Sequence, residues 1–415
     1  MKQLTLLLLT ITSMCFGQKT TLTIDSCIQM AKRNYPLIKQ NKLIEEIGKN
    51  YIQANNKNWL PKLSFNSKAT YQSEVIQFSG ISFPHDNYIS SLDVDQTLFD
   101  AGQLKQQKQL DRLNNEQELL KNEVEMYKLI DRVSQLYYSI LLMRENFKTL
   151  TIYKNDITNK KINLSESLKN GLILQSTFDE LEAEELKTEQ SIIETQNNIQ
   201  AINQSLEMFI NMPINDSTEL SAQPIINTAK GDEINRPEIK LFDAQKALLD
   251  ARYKLTTRNT LPHLALNGQG AYGRPGPNFL NQNLRFFAQG GISLKWNIGS
   301  LYNLSNEKQN RNISKQMIDV QKEVFDFNLK TFMIKQTGEI NSLKAIIEKD
   351  EKIIEKRHNI SLTASKQLDN GNITSTDYLT QLNAEMQAIL NKKVHEIKLM
   401  NAITSYNFNR GINNF

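Results

Sequence analysis

Residues that commonly act as catalysts or metal ligands are few in this chain and do not cluster along the sequence. It contains no nucleophile motif and no phosphate-binding glycine loop. Cys27 fits a small buried apolar residue better than a nucleophile. The histidines fall in four separate segments without metal-ligand spacing, at His85, His263, His358 and His395. We therefore expect no enzyme, no cofactor and no metal site.

The N-terminus has the layout of a secretory signal peptide. Lys2 precedes an apolar run from Leu4 to Phe16, which ends before a glycine. We predict that residues 1–17 are removed on export. A short membrane anchor is the alternative, but the run is too short to cross a bilayer of about 30 Å as a helix. Cys15 lacks the sequence context of a lipid attachment site, and a mature chain with one cysteine forms no internal disulfide.

The charge pattern argues against a nucleic-acid partner. The formal net charge is only +4, and lysine and glutamate alternate along the chain without a dense basic block. Binding to phosphates needs a concentrated cationic face. Downstream of the signal segment, no stretch approaches the roughly 18 apolar residues of a membrane-spanning helix. If this protein crosses a membrane, it must do so with strands.

The sequence contains two related halves. NYPLIKQ near the start returns as NRPEIKL, NWLPKLSFNSKATY returns as NTLPHLALNGQGAY, and Asn-Gly recurs, all at a spacing of about 200 residues. We predict a first repeat at 18–211, a connector at 212–236 that belongs to an equatorial region, and a second repeat at 237–415. Each repeat has the order helix, two strands, long helix, helix.

The strand segments alternate strictly between apolar and polar residues. This period of two is typical of outer-membrane barrel strands, and an antiparallel sheet with one solvated face alternates in the same way. The predicted lipid-facing residues are Tyr71, Leu92, Val94, Tyr272, Ile292, Leu294 and Trp296.

The long helices have a coiled-coil register. Leu119, Met126, Val133 and Ile140 recur every seven residues in a run without proline that extends from Gly102 to Lys169. At 1.5 Å per residue such a helix reaches roughly 100 Å. The two shorter helices of the first repeat, stacked end to end, are close to the length of its long helix, and the second repeat has the same order of parts. Each repeat is therefore predicted to form a helical hairpin with Asn-Gly at its far turn.

Four strands per chain cannot close a membrane barrel, because such barrels begin at about eight strands and lipid does not tolerate open edges. The chain must therefore share its barrel. Three copies would supply twelve strands and would arrange six helical hairpins in a ring around a tube.

Four segments carry a family resemblance: LTIDSCIQMAKRNYPLI, LPKLSFNSKATY, SLDVDQTLFDAGQ and NGNITSTDYLTQLNAE. In order, spacing and duplication the chain resembles the outer-membrane efflux protein family, the TolC-like trimeric channels. The resemblance implies an α+β membrane protein with long coiled-coil hairpins forming a periplasmic tunnel. It also implies four β-strands per chain in a twelve-stranded trimeric outer-membrane β-barrel, with an internal two-fold repeat.

The resemblance also implies function and partners. The chain would be the outer-membrane channel of a tripartite efflux or type I secretion system. It would form a homotrimer in outer-membrane lipid, with its helical part in the periplasm, and work with a periplasmic adaptor and an inner-membrane transporter.

Six site residues follow from the same resemblance. Gly171, Leu172, Gly371 and Asn372 would form the adaptor-docking turns, although Asn-Gly is also an ordinary turn former. Asp377 would belong to an acidic ring at the periplasmic constriction, or it is a helix N-terminal residue favoured by the helix dipole. Thr380 stands where such proteins often have a second acidic residue.

The competing hypothesis is an exported periplasmic coiled-coil adaptor or scaffold whose alternating segments form a soluble sheet. Adaptors usually contain one hairpin flanked by small β domains, whereas this sequence has two tandem repeats with strands before each long helix. Fractionation with the outer membrane as a heat-sensitive trimer separates the two hypotheses.

Overall fold

The computed structural model describes residues 21–75, 83–215, 218–221 and 234–411. The predicted signal peptide and Cys15 lie outside the described residues. The chain divides into two compact units. The helical unit comprises the described residues of Met1–Ile38, Glu125–Arg236 and Asn328–Phe415, and the sheet unit comprises those of Lys39–Val124 and Pro237–Phe327.

Helices make up most of the described chain. They are α1 (Ile24–Asn34), α2 (Ile38–Lys57), α3 (Gln103–Lys169), α4 (Gln175–Ile210), α5 (Pro237–Asn259), α6 (Leu304–Asp369) and α7 (Ser375–Asn409), with a 3-10 turn at Ile298–Asn303. The strands are β1 (Thr21–Leu22), β2 (Lys62–Tyr71), β3 (Asp86–Phe99), β4 (Glu219–Leu220), β5 (His263–Arg274) and β6 (Arg285–Lys295). None of the helices in the described ranges combines the length and the apolar composition that a membrane crossing requires.

The two long helices begin and end close to the predicted positions, but the first predicted helix is divided. Residues 25–58 form α1 and α2, with a break at Tyr35 and Pro36. Tyr35 caps α1 in an extended conformation, with φ −63° and ψ 129°. Proline disfavours the helical conformation at the residue before it, which explains the break.

The sheet unit contains a four-stranded antiparallel sheet in the order β2-β3-β5-β6. Direct pairs such as Phe65 with Leu92 and Leu266 with Ile292 place apolar side chains on one face. A register shift between Thr97 and Phe99 marks the end of β3 nearest the helices. Both outer strands, β2 and β6, pair with one neighbour each in the described part of the chain.

The larger core of the helical unit lies where α1, α3 and α4 meet. Fully buried side chains such as Ile28, Val133, Ile140 and Leu206 fill it. Cys27 is completely buried there, and burial raises the pKa of its thiol to about 12. The thiol therefore stays protonated and packs as an apolar group.

Tyr137 connects this core to a short parallel pairing of β1 with β4. Its ring is completely buried, and its hydroxyl lies 2.9 Å from the Leu22 carbonyl oxygen and 2.7 Å from that of Ser221. The hydroxyl can donate to one of these oxygens at a time. The residue thus holds the segments around both short strands against α3.

A second core lies near the far ends of the long helices. Tyr153, Ile157 and Leu181 pack there against Leu368 and Tyr378. Residues of both hairpins contribute to this cluster, which fixes their turns side by side.

We expect Tyr137→Phe to lower the free energy of unfolding by about 1 kcal/mol, because it removes one hydrogen bond and keeps the ring. Tyr137→Ala should cost about 3–5 kcal/mol through lost packing. Thermal unfolding of the purified, detergent-solubilised protein, followed by circular dichroism, measures both. Tyr302, which is 80% exposed, is the control, and its alanine variant should match wild type. Equal losses for both Tyr137 variants would contradict the packing role.

Candidate functional site: the hairpin turns and the two faces of the sheet

The two hairpin turns of the helical unit have the same hydrogen-bonded geometry. The Gly171 N–H donates to Leu168 O at 2.9 Å, and the Leu172 N–H donates to Ser167 O at 2.8 Å. In the second turn the N–H groups of Gly371 and Asn372 make the corresponding bonds, at 3.0 and 2.8 Å. This pattern is a Schellman motif, which needs a left-handed residue at its centre. The glycines supply it, with φ of +70° and +68°.

A groove of about 860 Å³ lies between the two turns. All four residues predicted for docking line it. Leu172 is 74% exposed and the neighbouring Leu174 is 73% exposed, so the turns present apolar side chains to solvent. A Cβ atom added at Gly171 or Gly371 would meet nothing within 4 Å. The chain itself therefore does not require the small size of these residues.

Glu180 links the two hairpins across this groove. Its carboxylate on α4 accepts hydrogen bonds from the hydroxyls of Ser375 and Thr376 at the start of α7. These hydrogen bonds hold the pKa of Glu180 below its usual range, and the one from Ser375 has the largest effect. A negative charge at a helix N-terminus is stabilised by the helix dipole. The sequence analysis missed Glu180, since no local pattern pairs it with residues almost two hundred positions away.

Asp377 is the third residue of α7 and belongs to a capping box with Thr374. Its Oδ2 accepts from the Thr374 hydroxyl at 2.7 Å and from the Thr374 N–H at 3.1 Å. These hydrogen bonds lower the pKa of Asp377, and the bond from the Thr374 hydroxyl has the largest effect. The carboxylate therefore stabilises the start of α7 at neutral pH, and this contribution is lost as the pH falls through the lowered pKa. This geometry fits the interpretation of Asp377 as a helix N-terminal residue. An acidic ring of Asp377 side chains at a periplasmic constriction stays a prediction.

Thr380 lines a different groove from Asp377. Its hydroxyl donates to Thr376 O at 2.7 Å, and it faces Tyr153 and Glu184. Asp377 lies instead in the groove between the turns and in a second groove beside α6. Whether both residues share one constriction stays a prediction.

Lys160 forms a buried network that the sequence analysis missed. Its ammonium donates to Ser365 O and Oγ, both at 2.8 Å, and to Asp369 Oδ1 at 2.6 Å. The side chain is only 4% exposed and lies 5.2 Å from the centre of the Tyr378 ring. Burial raises the pKa of Tyr378 to about 12. A buried charge persists only when it is paired and hydrogen-bonded, so these contacts fix α3 against α6.

In the sheet unit, the predicted lipid-facing residues share one face. The strand register places six of them on the same side of the sheet: Tyr71, Leu92, Val94, Tyr272, Ile292 and Leu294. Tyr71 is 77% exposed and Ile292 is 71% exposed. Trp296 lies one residue beyond β6, and its indole N–H donates to Thr260 O at 3.0 Å. It is half exposed at the end of the sheet.

The opposite face carries a polar network across all four strands. Asp93 on β3 accepts from Asn66 on β2 at 2.6 Å and from Gln269 on β5 at 2.7 Å. Gln289 on β6 donates to Gln269 at 2.6 Å. These hydrogen bonds join side chains of neighbouring strands. One face of the sheet is therefore exposed and apolar, and the other is polar.

The histidines do not assemble into a metal centre. His358 and His395 each contact a single carboxylate, those of Glu385 and Asp350, at 2.6 Å. In the described ranges no three His, Cys, Asp or Glu side chains come close enough to hold a metal ion.

Comparison with solved structures identifies the fold. The outer membrane channel CmeC of Campylobacter jejuni has a TM-score of 0.67 at 13% identity, over 94% of this chain and 85% of that one. The outer membrane protein VceC of Vibrio cholerae has a TM-score of 0.67 at 13% identity, over 93% and 94%. The open state of the MtrE outer membrane channel of Neisseria gonorrhoeae has a TM-score of 0.68 at 13% identity, over 94% and 88%.

Neither a protein-family model nor a curated protein matches the sequence. The similarity therefore lies in the arrangement of helices and strands along almost the whole chain. The resemblance deduced from the sequence is confirmed at that level: this chain has the fold of the TolC-like outer-membrane channel proteins.

Proposed function

We propose that this chain is the outer-membrane channel of a tripartite efflux or type I secretion system. The observation that carries the proposal is the four-stranded antiparallel sheet, which has an exposed apolar face and a hydrogen-bonded polar face. Within the described ranges, its two outer strands have one neighbour each. Lipid would cover the apolar face, and water would fill the space in front of the polar face. The fold of known outer-membrane channels supports the same assignment.

The strand order favours closure with further copies of the chain. In the four-stranded sheet of the described chain all neighbouring strands are antiparallel, so β2 and β6 run in opposite directions. The outer edge of β6 can therefore pair with β2 of the next copy without changing the alternating pattern. Three copies would close a twelve-stranded barrel, which leaves no edge in the lipid.

In this proposal the helices form a periplasmic tunnel. In this proposal, 18–211 and 237–415 are two repeats, 212–236 is the connector in an equatorial region, and residues 1–17 are a cleaved signal peptide. The helices leave the sheet at one end. At that end the strand residues pair as Lys62 with Asp95, Asp95 with Asn267, and His263 with Lys295. Substrates would pass from an inner-membrane transporter and a periplasmic adaptor through the tunnel to the exterior.

The groove between the hairpin turns is the proposed adaptor contact. It combines the exposed Leu172 and Leu174 with the carboxylates of Glu180 and Asp377. Glycine at both turns leaves space at the surface, where a docked partner could approach the backbone closely.

Ile292→Arg tests the lipid-facing surface. An arginine there faces lipid in every chain and should cost about 2 kcal/mol per chain, so that few heat-sensitive trimers form in the outer-membrane fraction. Ser293→Arg is the matched control because its side chain points to the polar face, and its trimer yield should match wild type. Similar yields for both variants, or a soluble monomeric wild-type protein, would exclude the proposed barrel.

The docking turns are tested by Gly171→Asn combined with Gly371→Asn. Asparagine tolerates a positive φ, and an added Cβ atom at either position would meet nothing within 4 Å. Trimer yield should therefore stay at the wild-type level, while export by the complete transport system should be lost. Gly102→Asn is the control, since Gly102 has φ +80° with the same free space and lies far from the turns in sequence. Export at the wild-type level in the double variant would rule out docking at the turns.

Asp377 is tested by single-channel recording. If three copies face a narrow opening, Asp377→Asn should reduce the preference for cations, and Thr380→Asp should increase it. Trimer yield should not change. Asp179, an exposed carboxylate near the start of α4, provides the control, and Asp179→Asn should conduct like wild type. Unaltered ion selectivity in both Asp377→Asn and Thr380→Asp would leave Asp377 only its capping role.

A further inference from the structure

A groove of about 610 Å³ lies in the sheet unit, where β3 ends and α3 begins. Trp59, which follows α2, lines it together with Asp100 and the first turns of α3. Its lining includes three basic side chains, those of Lys105, Lys108 and Arg112. Residues three and four apart share one face of a helix, so the three cations form a row of roughly 10 Å along α3.

These three cations have no counter-charge in the described part of the chain. None of the ion pairs formed by described residues involves Lys105, Lys108 or Arg112. The early turns of α6 differ in this respect, because Asp250 lies 3.8 Å from Arg311 and 2.9 Å from Lys315. Intramolecular pairing thus accounts for the cations of α6 and leaves those of the groove unexplained.

The stability of α3 does not explain a cation in its first turn. The start of a helix favours negative charge, yet this turn has no acidic residue and Lys105 is its third residue. Asp100, the acid beside it, accepts hydrogen bonds from the N–H groups of Gly102 and Leu104, at 2.9 and 2.8 Å. The backbone donors there are therefore occupied, and the positive charge of the groove is presented by side chains.

The groove lies where the apolar face of the sheet ends. Gln96 pairs directly with Leu266, which pairs with Ile292, so all three belong to that face. The Gln96 amide donates to Trp59 O at 3.0 Å, which places Trp59 beside the end of the face. Trp59 and Phe99 are 45 and 50% exposed. Exposed aromatic residues at the end of an apolar sheet face are typical of the boundary between lipid and water.

We propose that this groove binds the phosphate headgroup of a membrane phospholipid with a net negative charge. The inference rests on the proposed channel, which places the apolar face in lipid, and it adds a ligand site at the border of that face. Headgroup phosphates lie just outside the hydrocarbon layer, as the basic row lies just beyond the end of β3.

The side chains of the groove match such a headgroup. Arg112 offers a planar fork of donors for phosphate oxygens, and the two lysines add compact positive charges. The indole of Trp59 supplies an apolar surface for the part of the lipid next to the headgroup. The single carboxylate of the groove, Asp100, is engaged at the start of α3. A zwitterionic headgroup would therefore find no counterpart for its ammonium group.

Native mass spectrometry of the detergent-solubilised full-length protein tests this site. The protein is titrated with phosphatidylglycerol, or with phosphatidylcholine of the same acyl chains. We expect phosphatidylglycerol to reach one bound lipid per chain at a concentration lower by at least about fivefold, the effect of one basic residue at an anionic membrane surface. Lys105→Gln combined with Lys108→Gln and Arg112→Gln should remove this preference and leave the trimer yield unchanged.

A second triple variant is the matched control. It removes the same charge from exposed positions of α6 and should keep the preference at the wild-type level; its changes are Lys308→Gln, Lys330→Gln and Lys335→Gln. Lys105→Gln alone provides a further measurement that does not depend on the folding of a triple variant, and it should retain only part of the preference.

The outcomes separate this site from the channel itself. Wild-type trimers that bind both lipids equally would overturn the site and leave the proposed channel intact. A preference that survives in the groove variant, or that is also lost in the control, would overturn it as well. Inorganic phosphate that abolishes the preference at the lipid's own concentration would identify free phosphate as the ligand and overturn the lipid assignment. Absence of trimers in wild type would remove the proposed channel and this inference with it.

Discussion

Hydrogen bonding by the backbone at the edges of the sheet is the constraint on which the rest of this molecule depends. A strand has donors and acceptors on both sides, and β2 and β6 have one strand neighbour each in the described chain. The exposed apolar face is unlike that of an ordinary sheet in contact with water. If lipid covers this face, as proposed, every backbone group at the two edges needs a hydrogen-bond partner. The proposal of a barrel shared between copies follows from this one requirement.

The sequence predicted the elements that depend on local periodicity. The seven-residue repeat predicted α3 and α6, and the alternation of apolar and polar residues predicted which side chains share a face, as the partners of Leu92 and Ile292 confirm. Leu-Pro at Pro61 marks the end of a helix, and Pro36 divides the run before it in the same way, although the periodicity alone predicts one continuous helix there. Local rules succeed where one interaction decides the conformation.

The sequence could not predict contacts between distant side chains. Glu180 and Lys160 each bind residues of the other hairpin, about two hundred positions away. The patterns around them are those of ordinary solvated helices. Their partners depend on how the hairpins pack, which no local rule encodes. For Asp377, the sequence contained its helix-start role in the form Thr-x-x-Asp, whereas a role in an acidic ring depends on other copies of the chain.

The position of β3 beside β5 has a consequence for assembly. These central strands come from different halves of the chain and pair over most of their length. The covalent connection between the halves makes this pairing intramolecular, which gives it a high effective concentration. In the proposed ring, only three chains need to meet, where unlinked halves would require about six. In that proposal, joining the two halves in one chain would make assembly depend much less steeply on protein concentration, an advantage wherever copies of the chain are dilute.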